Sequence, residues 1–368
     1  MGKPLIFVSA GDLSGDNATS RVATTLQQIY PGLEMFGLGG RRLKQLGQEQ
    51  LADPADLAVL GFWEVARRYS FFRRLFRLCV DEIENRRPSC ILLVDYPGFN
   101  LRLAKRVKAL DIPIIYYISP QVWAWGKRRL RVIRENVDLM LLTLPFEKAF
   151  YNGSGVRSQF VGHYLLEDIP REYVQSSPVR PGQIALLPGS RPQEIERMLP
   201  PMLDAALRLN RRYGSSAVIA GIAGAYDYEG IVEAVCGDSV SICYDDSRRV
   251  MFESGLVLTA SGTATLEAGI IGRPMVIVYK TGFVTYQIAR RLVRLDMIGL
   301  VNLVLGRKVV PELVQAEATS ERMAEELGRY LQDGNYRASV ETELNRVPGL
   351  LGGPGASERT AQIIGACL

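Results

Sequence analysis

The residues best suited to chemistry fall where apolar runs end. Ile184-Ala-Leu-Leu187 leads into Pro188-Gly-Ser-Arg191 and then into a helical pattern. Gly189 lets a ligand approach the backbone, Ser190 can cap the helix, and the free N–H groups at a helix start suit an anion. Arg191 adds a positive charge for a diphosphate. Leu256-Val-Leu-Thr259 repeats the arrangement, passing into Ala260-Ser-Gly-Thr-Ala-Thr-Leu-Glu267. There Ser261, Gly262 and Thr263 offer small side chains and hydroxyls to phosphate oxygens, and Glu267 could accept from ribose hydroxyls. Each segment also reads as an ordinary strand–turn–helix with a good cap and a solvated charge. Two such starts in one half of the chain favour a nucleotide diphosphate.

The first half carries carboxylates instead. Asp95 closes the apolar run Ile91–Val94, a place where burial can raise a carboxyl pKa and make a general base; the alternative is a capping aspartate before a turn. Ser9-Ala-Gly-Asp12-Leu-Ser14-Gly-Asp16 would repel phosphate and suits hydroxyl recognition on a sugar, or is an Asp-rich turn in which Asp16 caps a helix. Trp123 and Trp125, in Ser119-Pro-Gln-Val-Trp-Ala-Trp125, offer aromatic faces to a sugar or fill the core. His163 is the single histidine, structural or a second candidate for the substrate's diphosphate. Asp12, Ser14, Asp16, Trp123, Trp125 and His163 are therefore the expected acceptor-side set.

These sites need strands to end at one edge. Continuous apolar runs at Pro4–Ser9, Cys90–Val94 and Pro113–Ile118 alternate with amphipathic patterns, which predicts an α/β fold with parallel sheets covered on both faces. The pattern recurs after a Pro-containing polar stretch, Glu167–Pro181. The expectation is two Rossmann-like, doubly wound domains facing a cleft, over residues 1–168 and 169–345, with a helical tail at 346–368 that could pack back on the first domain. A chain of 368 residues suits two cores. No run approaches the roughly 20 uncharged apolar residues of a membrane-spanning helix. Five scattered cysteines without CxxC, and one histidine, argue for a reducing cytoplasm and against a zinc site. The net charge of +5 comes without a nucleic-acid-binding motif, so no nucleic acid partner is expected.

The stretch Leu57–Val80 mixes Phe62, Trp63, Phe71, Phe72, Leu75 and Phe76 with Arg67, Arg68, Arg73, Arg74 and Arg77. Aromatics on one face and arginines on the other suit the membrane interface; a core-packed helix with a solvated basic face gives the same pattern.

With these residues in view, the chain resembles the lipid-A-disaccharide synthase family over nearly its whole length. The carriers are Ala10-Gly-Asp-Leu-Ser-Gly-Asp16, Ala58-Val-Leu-Gly61, Asp95-Tyr-Pro-Gly-Phe-Asn100, Ser119–Trp125, Leu144-Pro-Phe-Glu-Lys-Ala-Phe-Tyr151 and Phe160-Val-Gly-His163. Leu186–Arg191, Ala260–Glu267 and Asn302-Leu-Val-Leu-Gly-Arg307 follow in the same order. The resemblance implies a GT-B fold and an inverting, metal-independent transfer without a cofactor. UDP-2,3-diacylglucosamine would be joined to 2,3-diacylglucosamine 1-phosphate by a β-1′,6 linkage, releasing UDP at the inner face of the cytoplasmic membrane. It implies that Asp95 is the general base, that Arg191 holds the diphosphate, and that Ser190, Glu267 and Asn302 belong to the nucleotide site. Two positions depart from the family: Asp12 stands where glutamate is frequent, and Gly98 where several members have a second aspartate. A UDP-N-acetylglucosamine 2-epimerase, another GT-B transferase with a soluble acceptor, or a silent lipid- or nucleotide-sugar-binding module remain the alternatives. The sequence leaves a homodimer open.

Overall fold

The computed structural model describes residues 3–11, 13–53, 69–123, 127–235, 239–281 and 297–368. The chain forms two compact units, Met1–Tyr164 with Gly352–Leu368, and Leu165–Leu351. In the first, β1 (Leu5–Ala10), β2 (Glu34–Leu38), β3 (Glu49–Gln50), β4 (Cys90–Val94), β5 (Ile114–Tyr117), β6 (Leu139–Leu142) and β7 (Ser158–Phe160) form one parallel sheet among the described residues. Its order is β3-β2-β1-β4-β5-β6-β7. In the second, β8 (Arg180–Leu187), β9 (Ser216–Gly221), β10 (Val240–Tyr244), β11 (Ser254–Ala260), β12 (Met275–Tyr279) and β13 (Glu312–Val314) are ordered β10-β9-β8-β11-β12-β13. Both orders reverse direction once, between the first and fourth strand of the unit, which is the Rossmann arrangement.

The strands form because their runs are apolar on both faces. All five residues of β4 are buried, which only a sheet covered on both sides allows. Ile91 and Leu93 turn toward the helices Tyr69–Arg86, Pro97–Val107 and Lys127–Asn136, which lie side by side on one face. Register then fixes the functional edge. Ala10 pairs with Val94 and Val94 with Tyr117, so the loops after β1, β4 and β5 emerge together. Leu187 pairs with Thr259 and does the same for the loops after β8 and β11.

The aromatic–basic segment resolves in favour of the core. Leu75 is buried, and Phe71 and Phe76 pack on the same core; Phe76 meets Phe99 edge to face at 5.6 Å. Phe72 is half-buried against Phe71. Leu75 is therefore a core residue, and Phe71, Phe72 and Phe76 are half-buried beside it. Arg73, Arg74, Arg77 and Leu78 are what it exposes. Phe62 and Trp63 lie outside the described residues. Among the described residues no helix is long and apolar enough to cross a membrane.

The helix Ala356–Gly365 belongs to the first unit, packing on Leu13–Ile29, and the Tyr30 hydroxyl donates to the Gly365 carbonyl at 3.0 Å. In the second unit Arg273, only 3% exposed, fastens several chain ends. Its guanidinium donates to the carbonyls of Met251 at 3.2 Å, Phe252 at 2.7 Å and Ser176. Burial lowers its pKa to about 10, which still leaves it charged at neutral pH. Arg273→Met should strip these buried carbonyls of their donor and destabilise the second unit by at least about 2 kcal/mol in urea unfolding. A loss below about 0.5 kcal/mol would show that the latch is dispensable.

Candidate functional site

The second unit carries a cleft of about 430 Å³ at its strand-order reversal, between the loops after β8 and β11. After Leu187 the chain turns at Gly189, whose φ of 118° suits glycine, and a Cβ there would lie 2.9 Å from the Glu194 Cβ. The helix Pro192–Tyr213 then begins with proline, which lacks the N–H that a first position would leave unused, and no side chain caps it. The second wall is the helix Thr263–Ile271, capped by Gly262 and likewise without a side-chain cap. Two helix starts thus point backbone N–H groups and partial positive charge into one crevice. Ser190, Ser261, Gly262 and Thr263, expected as nucleotide contacts, all line it.

The carboxylate of Glu194 already sits in this cradle. It accepts from the Ser190 N–H at 3.4 Å and from the Arg191 guanidinium at 2.9 Å, so an anion sits at the first helix start. The Ser261 hydroxyl donates to the Ile298 carbonyl at 3.1 Å and so also ties down a neighbouring turn.

Two expected contacts are placed differently. Asn302 is fully buried; its amide donates to the Val310 carbonyl and the Glu312 carboxylate, and its oxygen accepts from the Val309 and Val310 N–H groups. With both ends engaged it braces the turn that Glu312 caps at Ile298 and Gly299. Glu267 accepts from Arg248 at 2.8 Å, and that arginine also reaches the Asp168 carbonyl at 3.0 Å. Glu267 is therefore one member of an ion pair, one turn inside its helix.

In the first unit, Asp95 and Tyr96 follow β4 with φ of 43° and 44°, both in the left-handed region. Ile118, after the adjacent β5, has φ of 63°, an unusual state for a β-branched residue. Such residues cost on the order of 1–3 kcal/mol each and persist where surrounding bonds over-determine them. Here the Asp95 N–H donates to the Tyr117 carbonyl at 3.0 Å, and its carbonyl accepts from the Tyr116 hydroxyl and, at 2.9 Å, from the Asn100 amide. The strain sits at the edge where both strands end.

The remaining first-unit candidates divide. Asp12 and Trp125 lie outside the described residues. The Ser14 and Tyr164 hydroxyls are 2.9 Å apart, and Tyr164 stacks on His163. His163 is buried, and burial pushes its pKa down to about 3, so it stays neutral and brings no positive charge to a diphosphate. Asp16 is buried too; its carboxylate accepts from Gly40 N–H at 2.8 Å, Arg42 N–H at 3.1 Å and Leu43 N–H at 3.2 Å. It caps the start of the helix Arg41–Gln45 from another element, and is a brace, not a sugar contact. Trp123 is half-buried, edge to face with Phe146 at 4.9 Å.

Several residues of these sites escape sequence reasoning. Glu194 and Glu147 sit three residues after the starts they serve, a legible capping spacing. Arg248 and Glu312 act on partners ten or more residues away, and Asn100 joins the nearby Val94 and Asp95 to the distant Ser9, so no local signal marks these roles. Among the described residues no group of three His, Cys, Asp or Glu side chains could hold a metal.

The comparisons with known proteins agree with this geometry. A UDP-GlcNAc 2-epimerase from Neisseria meningitidis, solved with UDP-GlcNAc, superposes with a TM-score of 0.62 at 11% identity, covering 99% of this chain and 100% of that one. The calicheamicin glycosyltransferase does so with a TM-score of 0.62 at 15% identity over 100% and 99%. The fold is thus GT-B, the two-Rossmann architecture of nucleotide-sugar enzymes. The sequence profile described as lipid-A-disaccharide synthetase matches residues 6–364. The lipid-A-disaccharide synthases of Anaeromyxobacter dehalogenans and Myxococcus xanthus are 41% and 39% identical, over 97% and 98% of this chain and 96% and 97% of theirs. The chain belongs to the lipid-A-disaccharide synthetase family, and it is a glycosyltransferase of lipid A biosynthesis.

The buried carboxyl of Glu147, beneath the loop that carries Trp123, gives a pH signature. It accepts from the Leu144 N–H at 3.1 Å, and burial raises its pKa from 4.5 to about 7 while that N–H and the Trp123 and Ser119 side chains pull it down. The unfolded chain ionises first, so stability present below pH 4.5 is lost as pH rises through about 7. Glu147→Gln keeps an acceptor for Leu144 and should remove this loss, gaining about 3 kcal/mol on the wild type between pH 4.5 and 8 in urea unfolding. A constant difference across that range would disprove the assignment.

Proposed function

We propose that the chain transfers 2,3-diacylglucosamine from its UDP derivative to the 6-hydroxyl of 2,3-diacylglucosamine 1-phosphate. The observation that carries this reading is the cleft with two uncapped helix starts, which suits a pyrophosphate; Arg191, exposed and paired with Glu194, begins the first of these helices beside it. In the reaction, Asp95 withdraws the proton of the acceptor hydroxyl as its oxygen attacks the anomeric carbon. The bond from that carbon to the diphosphate breaks on the opposite face, inverting the centre, and UDP departs. Charge gathering on the diphosphate meets the N–H groups after Gly189 and Gly262 and the Arg191 guanidinium. The Ser190 N–H and Arg191 must first give up their bonds to Glu194, so the diphosphate takes the place of that carboxylate.

A diacylated acceptor lies in a lipid surface, and the first unit is built to meet one. The helices Tyr69–Arg86, Pro97–Val107 and Lys127–Asn136 expose Arg73, Arg74, Arg77, Arg102, Lys105, Arg106, Arg131 and Arg134 beside the exposed Asp81 and Glu135 and the half-buried Glu82 and Glu84. This basic face favours peripheral docking on anionic lipid at the inner face of the cytoplasmic membrane, by charge and not by the aromatic stripe.

Asp95→Asn should keep its UDP affinity by calorimetry and lose about a hundred- to ten-thousandfold in kcat. Arg191→Ala should weaken UDP about tenfold. Wild-type protein without measurable UDP affinity would end the donor assignment, and near-normal turnover by Asp95→Asn would remove the base. Reversing Arg73, Arg74 and Arg77 to glutamate should cut binding to phosphatidylglycerol vesicles at least tenfold. Unchanged cosedimentation would refute docking by this face.

A further inference from the structure

Asp95 leaves its strand in a conformation that the sequence around it does not favour, and one side chain holds it there. Asn100 lies one turn into the helix Pro97–Val107, fully buried, with its amide aimed back at the end of the sheet. Its Nδ2 donates to the carbonyls of Asp95 at 2.9 Å, Val94 at 3.0 Å and Ser9 at 3.3 Å. Its Oδ1 accepts from the Ser9 hydroxyl at 2.7 Å. Ser9 is the last residue but one of β1 and Val94 ends β4, so one amide pins both strands where the sheet order reverses. The three carbonyls fix which way the amide faces, because a flipped amide would set its oxygen against theirs, and the Ser9 hydroxyl tethers the other end.

We propose that Asn100 is a positioning residue that fixes the direction of the Asp95 carboxylate, with Ser9 holding its amide in register. The inference rests on Asp95 as the base that deprotonates the acceptor. Two successive left-handed residues, Asp95 and Tyr96, are the alternative conformation's cost made visible. Without the Asn100 donor the Asp95 carbonyl loses one of the side-chain donors that hold it, and the pair can relax toward ordinary backbone angles. A base must stay within hydrogen-bond reach of the proton it takes, and a displacement of about 1 Å can cost a hundredfold in rate. Asn100 itself touches no substrate in this account; its whole effect passes through Asp95.

A double-mutant cycle tests this. Asn100→Ala should lower kcat about ten- to a hundredfold with KM for the UDP-sugar and the UDP affinity within about twofold of wild type. In the Asp95→Asn background the same change should cost less than about twofold, since there is no base left to misdirect. Ser9→Ala, which removes only the tether on the amide, should give a smaller loss, about threefold or more, with the same dependence on Asp95; it serves if Asn100→Ala does not fold. An equal loss in both backgrounds would mean that Asn100 acts on the fold at large, and a loss below about threefold in wild type would mean that it does not aim Asp95. Near-normal turnover of Asp95→Asn alone would remove the base itself, a distinct result that also overturns the proposal.

Discussion

Parallel strands in register are the constraint on which both sites depend. A parallel sheet requires each crossover to return over one face, and where the strand order reverses, two neighbouring strands send their chains to opposite faces. The space between those departing chains cannot be filled by either. In the second unit it lies between Leu187 and Thr259, and two helices begin on its walls. In the first unit the equivalent place lies between Ala10 and Val94, and a strained carboxylate stands there. The same backbone geometry therefore sets two helix starts at the reversal in one unit and Asp95 at the reversal in the other. What differs is the residue placed at the strand end, glycine and serine in one case and aspartate in the other.

Buried polar side chains hold these edges in shape. Asn100, Asn302, Asp16 and Glu147 are each almost inaccessible, and each is bonded to backbone groups of loops or helix starts. Loops at a strand edge have no ladder partner for their N–H and C=O groups, and burying such groups unpaired is costly. A short amide or carboxylate supplies the missing partner and at the same time removes the loop's freedom. Residues that look like ligand contacts in the sequence can thus brace loops: the chemistry that recognises a sugar hydroxyl also recognises a peptide group.

The strong apolar runs were legible because a strand buried on both faces is apolar at every position, as in β4. The short β3, β7 and β13 were not, since Glu49–Gln50, Ser158–Phe160 and Glu312–Val314 include polar residues and lack continuous runs. The anion-ready starts at Ser190 and Thr263 were readable from small residues after a strand. The role of Asp16 was not, because its three N–H partners lie more than twenty residues away. The arginine-rich helix after Tyr69 was ambiguous in principle: an apolar stripe opposite charges is the same pattern whether a protein core or a lipid phase covers it.

The second unit is an insertion within the first, since the chain leaves one at Tyr164 and re-enters it at Gly352. During synthesis the inserted unit is contiguous and can close as soon as Leu351 clears the ribosome. The surrounding unit must wait, holding the face of its helix Leu13–Ile29 open until Ala356–Gly365 is made. The oldest part of the nascent chain is thus the last to be sealed.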